Sequence, residues 1–274
     1  MQFRFCSWNL RGLGPQWRHM ADLIREIRPD IIALQEVTLA NFEAFARRIE
    51  LDSAACSLHL RAPQPGEGRG RGLGCAIFAR TPFEITSKEL IDTAPLPERT
   101  LIAQLTSPAG PLTACSFHAP PGVTWKELKP QSFLAIADFL SQHPGRTVFG
   151  MDANTPKVDR IDLAENVWWW KDEPSLLGTG AGHALTDVLR TILAREPQRL
   201  AALQSARPMG PLALSFRRGP KGKAIDCRYD FVFASPDIVV RDVAYFYEKS
   251  IAAGSDHAMV VADLELSAAS SLRS

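Results

Sequence analysis

Apolar residues along the chain occur mainly in short runs that have the length of β-strands. Residues 2–8 alternate and are rich in aromatic rings, which predicts a strand that enters the core. Residues 31–34 are continuously apolar, as expected of a strand buried on both faces. Residues 147–149, Thr-Val-Phe, also indicate a buried strand. Similar patterns predict further strands over residues 74–79, 83–90, 101–106, 112–117, 229–234, 238–247 and 258–264.

Helical periodicity is confined to fewer segments. In the clearest of them, apolar side chains from Trp17 to Ile27 recur at helical spacing. Because several predicted strands follow one another without a helix between them, a regular alternation of strands and helices is not expected. The pattern favours a layered α+β fold, in which a two-sheet β-sandwich is flanked by helices. The predicted helices cover residues 17–28, 41–49, 131–140 and 184–193.

The composition is that of an ordinary globular protein. The chain has 274 residues, 46% of them apolar and 22% charged, which is enough for a sizeable core. Since no linker or repeat divides the sequence, we expect a single domain over residues 1–266, followed by a disordered tail over residues 267–274. No apolar run reaches the roughly 18 residues of a membrane span, and the N-terminus lacks the pattern of a signal peptide.

Charge and cysteine content narrow the class of protein. The net charge is +1, so a site for a polyanion would have to be local. The five cysteines form no C-x-x-C pair, which argues against a disulfide framework or a zinc knuckle. Cys6, Cys75 and Cys115 lie in apolar runs and are expected in the core. These features predict a reduced, cytoplasmic protein, and the lack of a coiled-coil pattern favours a monomer.

The buried run at residues 147–149 leads into two polar residues, Asp152 and Asn154. Residues i and i+2 of an extended segment point to the same side, so both side chains are expected to face one pocket. The carboxylate could hold a hard cation or accept a proton, and the amide could donate to a phosphate oxygen. Taken alone, the pair is more typical of a turn that follows a strand.

Similar polar residues recur where other predicted strands end. They are Asn9, Glu36, His118, Asp152 with Asn154, Asp230, and Asp256 with His257. In this order they resemble the endonuclease/exonuclease/phosphatase superfamily, which includes pancreatic-type deoxyribonucleases, abasic-site endonucleases, deadenylases, inositol polyphosphate 5-phosphatases and neutral sphingomyelinases. The matching stretches span residues 3–264 and are SWNLRG, IIALQEV, GLGCAIFAR, FHAPPG, VFGMDANTP, RYDFVFAS and GSDHAMV.

Two departures from the family pattern concern the walls of the expected pocket. Met151 stands where the family usually has glycine, before Asp152. Ala119 replaces the usual leucine after the strand histidine and is followed by two prolines. Neither change removes a functional group, so they bear on the identity of the substrate and not on the chemistry.

The resemblance implies a metal site. Glu36 would be the principal ligand of a hard divalent cation, Mg²⁺ or Mn²⁺, which prefers oxygen ligands and retains several waters. Asn9 and Asp256 would complete or support that coordination sphere. The cation would bind a phosphate oxygen and stabilise charge on the leaving group.

The resemblance also implies roles for the remaining residues. His257 would pair with Asp230, which orients the imidazole and raises its basicity; whether His257 accepts a proton or stabilises charge stays open. Asp152 would activate water, and Asn154 would orient that water or the phosphate. His118 would donate to a non-bridging phosphate oxygen.

Three further residues are weaker candidates for substrate contacts. Arg99 lies where several family members carry an arginine, so it could bind phosphate, although a surface ion pair with Glu98 or Glu89 is an equal alternative. Trp168 and Trp169 belong to three consecutive tryptophans in an irregular stretch. They could stack on bases or sugars, or pack a long connection onto the core.

The predicted function is therefore a metal-dependent phosphoesterase, with a phosphodiesterase acting on DNA or RNA as the leading hypothesis. A phosphatase acting on a phosphorylated small molecule or lipid head group is the alternative, because phosphate-tracking surfaces are usually basic and this chain is nearly neutral. A catalytically silent member that binds a phosphorylated partner or a protein is the third possibility.

Overall fold

The structure, a computed structural model, describes residues 1–62, 72–122, 126–220 and 223–267. The strands are β1 (Gln2–Asn9), β2 (Ile31–Val37), β3 (Ser53–Cys56), β4 (Gly74–Ala79), β5 (Glu84–Glu89), β6 (Thr100–Thr106), β7 (Leu112–His118), β8 (Thr147–Asp152), β9 (Thr186–Asp187), β10 (Phe216–Arg218), β11 (Ile225–Cys227), β12 (Asp230–Ala234), β13 (Ile238–Phe246) and β14 (Met259–Leu266). The helices are α1 (Trp17–Ile27), α2 (Phe42–Ile49), α3 (Ser57–Leu60), α4 (Leu128–Gln142), α5 (Pro174–Leu177), α6 (Val188–Arg195), α7 (Pro197–Ala206) and α8 (Tyr247–Ala253).

Two mixed sheets of six strands form a sandwich, as the sequence predicts. The first sheet has the order β13-β14-β1-β2-β4-β3, and the second has the order β5-β6-β7-β8-β12-β9. The sheets approach closely at Gly150, where an added Cβ would lie 2.7 Å from the Cβ of Ser7 and 3.0 Å from the Cβ of Ala33. Only glycine fits between the sheets at this point.

The core has three layers because the central strands are buried on both faces. Phe5 and Ala33 point into the cluster between the sheets, whereas Cys6 and Leu34 point outward, under α1 and α2. A third cluster lies under α4 on the outer face of the second sheet. This arrangement explains why residues 31–34 carry no polar position, and it confirms the prediction of a strand buried on both faces. Cys6, Cys75 and Cys115 are also buried, as predicted.

The structure corrects one predicted helix. The segment 184–193 was predicted to be helical throughout, but Thr186–Asp187 pairs with β12 and the helix begins at Val188. Asp187 ends the short strand and accepts a hydrogen bond from Leu189 N at 2.9 Å, which caps α6. The period of the apolar residues did not reveal this break. Elements without a sequence prediction are β3, α3, α5, α7, β10, β11 and α8.

Two further predictions concern the C-terminal tail and membrane-spanning segments. Residues 268–274, the greater part of the predicted disordered tail, lie outside the described residues. Among the helices that the structure describes, none combines the length and apolar character needed to cross a membrane.

Candidate active site

The register of the second sheet brings three predicted site residues side by side. β7 and β8 run parallel with His118 opposite Asp152, and β12 runs antiparallel with Asp230 opposite the same Asp152. His118 and Asp152 are the last residues of their strands, whereas Asp230 is the first residue of its strand. All three therefore lie at one edge of the sheet, and this edge defines the candidate site.

The first sheet contributes Asn9 and Glu36 to the same edge. Asn9 ends β1, and its Nδ2 donates a hydrogen bond to Asp152 Oδ2 at 2.8 Å, which links the two sheets. Glu36 lies in β2 at a position with φ 53°, where the pairing of β2 with β4 is irregular. This left-handed conformation is rare for a residue with a side chain.

Asp152 is the centre of the hydrogen-bond network. Its carboxylate is fully buried, Oδ1 accepts from Asn154 N at 3.0 Å, and Oδ2 accepts from Asn9 Nδ2. Burial raises the pKa of Asp152 above its ordinary value, although the nearby His257 opposes this effect. The carboxylate is thus held in a fixed orientation and is more basic than an exposed aspartate.

Asn154 reaches the site through a turn and not through strand alternation. β8 ends at Asp152, and Asn154 adopts φ 49°. Its Nδ2 lies 3.3 Å from Asp152 Oδ2 and donates to Ala119 O at 3.0 Å. The period-two argument therefore gave the wrong reason for bringing the two side chains together.

His257 and Asp230 form a close buried pair. His257 Nδ1 lies 2.9 Å from Asp230 Oδ2, and His257 Nε2 lies 3.8 Å from Asp152 Oδ2. Burial alone would lower the pKa of His257, but the carboxylates of Asp230 and Asp152 outweigh it and raise the pKa to about 10. At neutral pH the imidazole is therefore charged and lies between two carboxylates.

The pair is supported from behind by neighbouring polar groups. Asp230 N donates to Ser215 Oγ at 3.1 Å, and Tyr245 OH donates to Asp230 O at 2.9 Å. His257 N donates to Ser255 Oγ at 3.0 Å. These contacts fix the backbone of both partners, so the short distance between their side chains does not depend on flexible chain segments.

His118 has the opposite electrostatic environment. Arg99 Nη1 lies 3.2 Å from His118 Nδ1, and a guanidinium can only donate. Burial, and then the positive charge of Arg99, lower the pKa of His118 well below its ordinary value. The ring is therefore neutral, Nδ1 accepts, and the proton resides on Nε2.

The protonated Nε2 of His118 points into the site. It lies 3.4 Å from Glu36 Oε1 and 3.8 Å from Asp152 Oδ2. It is buried and makes no hydrogen bond among the described residues. Such an N–H group is available to an oxygen of a bound phosphate. Arg99 is buried behind His118 and is therefore not a surface residue.

The donors at Glu36 fit a hard divalent cation. Burial, followed by the charge of Asp152, raises the pKa of Glu36, and the charge of Asp256 adds to the effect. A cation would relieve this repulsion and favour the ionised carboxylate. Asp256 lies at the rim, with a half-exposed side chain whose Oδ2 is 3.5 Å from Arg11 Nε. Among the described residues, the potential ligand atoms that lie within 4.8 Å of one another belong to two groups: Glu36, His118 and Asp152, and Asp152, Asp230 and His257. Glu36 is therefore placed to hold a cation, whereas Asn9 and Asp256 remain predicted ligands.

The three consecutive tryptophans do not share one environment. Trp168 lines a cavity of about 360 Å³ together with Leu176 and Phe231, and no residue of the candidate site lines this cavity. Trp169 is 40% exposed and lines a separate cavity of about 410 Å³. Asn154 lines the second cavity, which therefore adjoins the candidate site. Only Trp169 of the two predicted tryptophans lies near the site.

Sequence reasoning missed several residues that support the site. Lys129 is buried in α4, and its Nζ lies 2.9 Å from Glu173 Oε1 and 2.8 Å from Asn154 O. A buried lysine needs such partners, but Glu173 is too distant in sequence to reveal the pair. Arg228 is also buried and binds both oxygens of Asp187 at 2.7 Å. In the sequence, the pairing of Arg228 with Asp187 is indicated only by the position of Arg228 directly before the predicted strand that begins at Tyr229.

Comparisons with solved structures agree with this architecture. D. rerio TDP2 in complex with a single strand DNA product is 15% identical, with 96% of this chain and 99% of that chain covered and a TM-score of 0.67. An endonuclease/exonuclease/phosphatase from Bacteroides vulgatus is 18% identical, with coverages of 97% and 100% and a TM-score of 0.65. The Bacteroides thetaiotaomicron mannosyl-6-phosphatase Bt3783 is 15% identical, with coverages of 96% and 100% and a TM-score of 0.61.

These likenesses establish a shared fold. They do not indicate a shared substrate, because the sequence identities are too low. A comparison with curated protein sequences gives no significant match. The family model for endonucleases, exonucleases and phosphatases matches residues 6–257, which includes every strand end described above. The chain therefore belongs to the endonuclease/exonuclease/phosphatase family, whose members are metal-dependent phosphoesterases.

Proposed function

We propose that this protein is a divalent-metal-dependent phosphodiesterase that hydrolyses nucleic acid by attack of water on phosphorus. The observation that carries the proposal is the convergence of five side chains from two sheets at one edge. They combine an oriented carboxylate, a charged imidazole, a neutral N–H donor and an oxygen-rich cation site. The five are Glu36, His118, Asp152, Asp230 and His257.

Asp152 is the proposed base that activates water. Its raised pKa makes it a better proton acceptor than an exposed aspartate at neutral pH. The hydrogen bonds from Asn9 and from the Asn154 backbone hold its two oxygens in a fixed orientation. Asn154 is proposed to orient the water or the phosphate next to this carboxylate.

The two histidines are proposed to act on the charge that develops on phosphate. His257 is already protonated, so stabilisation of negative charge suits it better than accepting a proton. His118 can donate its Nε2 proton to a phosphate oxygen. The proton lies on Nε2 because Arg99 donates to Nδ1. A divalent cation held by Glu36, with Asn9 and Asp256, would polarise a phosphate oxygen and stabilise the leaving group.

The alternative is a phosphatase that acts on a small phosphorylated molecule. The near-neutral net charge favours it, because nucleic-acid surfaces are usually basic. A structural neighbour is a mannosyl-6-phosphatase. The catalytically silent hypothesis has less support, since the site contains residues of the types that the proposed acid, base and cation-binding roles require.

A substrate panel tests the proposal. Supercoiled plasmid, single-stranded oligonucleotides, bis(p-nitrophenyl) phosphate and mannose 6-phosphate are incubated with Mg²⁺, with Mn²⁺ and with EDTA. We expect cleavage of diesters that EDTA abolishes. The replacement His257→Ala should lower kcat by about a hundredfold or more, whereas the exposed His143→Ala is the matched control. Turnover of mannose 6-phosphate alone would favour the phosphatase, and no turnover of any ester would favour a binding role.

A further inference from the structure

The cavity beside Asn154 is not used by the proposed chemistry. It measures about 410 Å³, which is within the range of about 300–1,000 Å³ that is usual for sites of small organic ligands. Four of its lining residues are aromatic, and two are cationic. We call this cavity the aromatic pocket; its lining residues are Pro121, Gly122, Lys129, Asn154, Trp169, Trp170, Phe216, Arg218 and Tyr229.

A buried polar cluster holds the tryptophan wall of the aromatic pocket in place. Glu173 is fully buried, and its Oε2 accepts hydrogen bonds from the backbone nitrogens of Trp169 at 2.9 Å and Trp170 at 3.3 Å. Its Oε1 lies 2.9 Å from Lys129 Nζ. The same carboxylate also accepts from Thr155 Oγ1 at 2.6 Å. The wall is therefore organised before any ligand binds.

The aromatic pocket is connected to the candidate active site through two residues. Asn154 lines the pocket and contacts Asp152 through its backbone and its amide. Phe216 stacks on the His257 ring, with 4.6 Å between ring centroids and an interplanar angle of 27°. A group bound in the pocket would therefore lie next to a phosphate at Asp152.

The chemistry of the walls selects a flat aromatic group. Aromatic rings supply dispersion and stacking surfaces, and Arg218 lies over the Trp169 ring with 5.1 Å between Cζ and the ring centroid. Lys129 is occupied by Glu173 and Asn154. A sugar has many hydroxyl groups that need hydrogen-bond partners, whereas the surface of this wall is mainly apolar, with Asn154, Arg218 and Tyr229 among its polar side chains. A nucleobase has the planar, weakly polar shape that the wall accommodates.

We propose that the aromatic pocket binds the nucleobase of the nucleotide whose phosphate lies at Asp152. This inference rests on the proposed function and deepens it, because it selects nucleotides over sugar phosphates as the substrate class. Trp169 is a specificity-determining residue in this proposal. Trp168, its neighbour in sequence, has no part in it, because Trp168 lines the other cavity.

The test compares two ligands that differ only in the base. Binding of dAMP and of 2-deoxyribose 5-phosphate is measured by isothermal titration calorimetry, in Mg²⁺ and in EDTA. We expect dAMP to bind between about fivefold and a hundredfold more tightly, which corresponds to one stacked base. The replacement Trp169→Ala should remove most of this preference, and Trp169→Phe should retain most of it. Trp168→Ala is the matched control and should leave the preference unchanged.

Equal affinity for the two ligands, or no measurable binding of dAMP, would overturn the proposal. So would a preference that Trp169→Ala leaves intact or that Trp168→Ala removes. Hydrolysis of the diester panel is measured on the same preparation. The two measurements distinguish a failure of the proposed phosphodiesterase activity from a failure of the proposed nucleobase binding. A preference for dAMP without hydrolysis would overturn the phosphodiesterase and support the pocket. Hydrolysis without a preference would overturn the pocket alone.

Discussion

At the residue scale, the site contains two buried histidines whose surroundings give them opposite proton states. Asp230 contacts Nδ1 of His257 and keeps that ring charged. Arg99 contacts Nδ1 of His118 and keeps that ring neutral. In both rings a protonated Nε2 lies 3.8 Å from Asp152 Oδ2. The different roles proposed for the two histidines therefore come from the residues behind them.

The replacement Asp230→Asn tests this dependence. The amide preserves the shape of the side chain but removes the negative charge that keeps His257 protonated. We expect kcat for the best diester to fall by about a hundredfold or more, with a small effect on the melting temperature. Steady-state kinetics and thermal unfolding measure the two effects. The exposed Asp237→Asn serves as the control, and an unchanged kcat in Asp230→Asn would contradict the role given to the pair.

At the element scale, the close approach of the two sheets positions the site. The Asn9–Asp152 hydrogen bond at 2.8 Å joins the end of β1 to the end of β8. Gly150, two residues before Asp152, allows β8 to lie against Ser7 and Ala33 of the other sheet. A wider separation of the sheets at this point would lengthen the hydrogen bond between Asn9 and Asp152.

The replacement Gly150→Ala tests the importance of this approach. The new Cβ would lie 2.7 Å from Ser7 Cβ, so the sheets must move apart. We expect the free energy of unfolding to fall by about 1–3 kcal/mol, as is usual for overpacked cores. Urea denaturation provides the measurement. Gly145→Ala is the matched control, because nothing lies within 4 Å of its new Cβ, and an equal effect in both variants would argue against a tight contact at Gly150.

Residues with a periodic pattern or a family motif were predictable from the sequence. The alternation that sends Phe5 to one core and Cys6 to another is visible in the sequence, and so is the grouping of Asp152 with His118 by motif. Both depend on short-range spacing or on residue type. The spatial order of the strands in each sheet cannot be predicted from any single segment. The two-sheet fold class could be predicted from the sequence of strands and helices along the chain.

The remaining features depend on contacts between distant segments. The pairing of Lys129 with Glu173 joins a helix to a long irregular connection, and neither segment shows a signal for the other. The separation of Trp168 from Trp169 into two cavities depends on the path of that connection. Asn154 reaches Asp152 because of one left-handed residue in a turn. None of these three structural features could be predicted from the spacing of residues along the chain.

At the scale of the whole molecule, charge limits how nucleic acid could be held. The net charge of +1 provides no overall positive field, so a site for a polyanion would have to be local. Near the aromatic pocket, Lys157 and Arg218 lie over the Trp169 ring at 5.3 Å and 5.1 Å. Binding would therefore depend more on the pocket and the metal site than on tracking of the phosphate backbone.

The salt dependence of binding tests this view. Each neutralised phosphate of a single strand contributes about −0.7 to the slope of log affinity against log salt concentration. If the two cations that the described residues place there, Lys157 and Arg218, make the contacts, we expect a slope between about −1 and −3 for a short single-stranded oligonucleotide. Fluorescence anisotropy over a series of salt concentrations measures it. A slope steeper than about −3 would indicate an extended basic surface and would contradict the localised mode of binding.

The central claim is that Glu36 supports metal-dependent hydrolysis of phosphoesters, and the replacement Glu36→Gln tests it most directly. The amide has the shape of the carboxylate but lacks its negative charge, so a divalent cation should bind more weakly. Hydrolysis of bis(p-nitrophenyl) phosphate and calorimetric binding of Mg²⁺ and Mn²⁺ are measured with wild type and variant. We predict a loss of activity of about a hundredfold or more, weaker metal binding and an unchanged melting temperature. Wild-type activity and metal affinity in the variant would contradict the account.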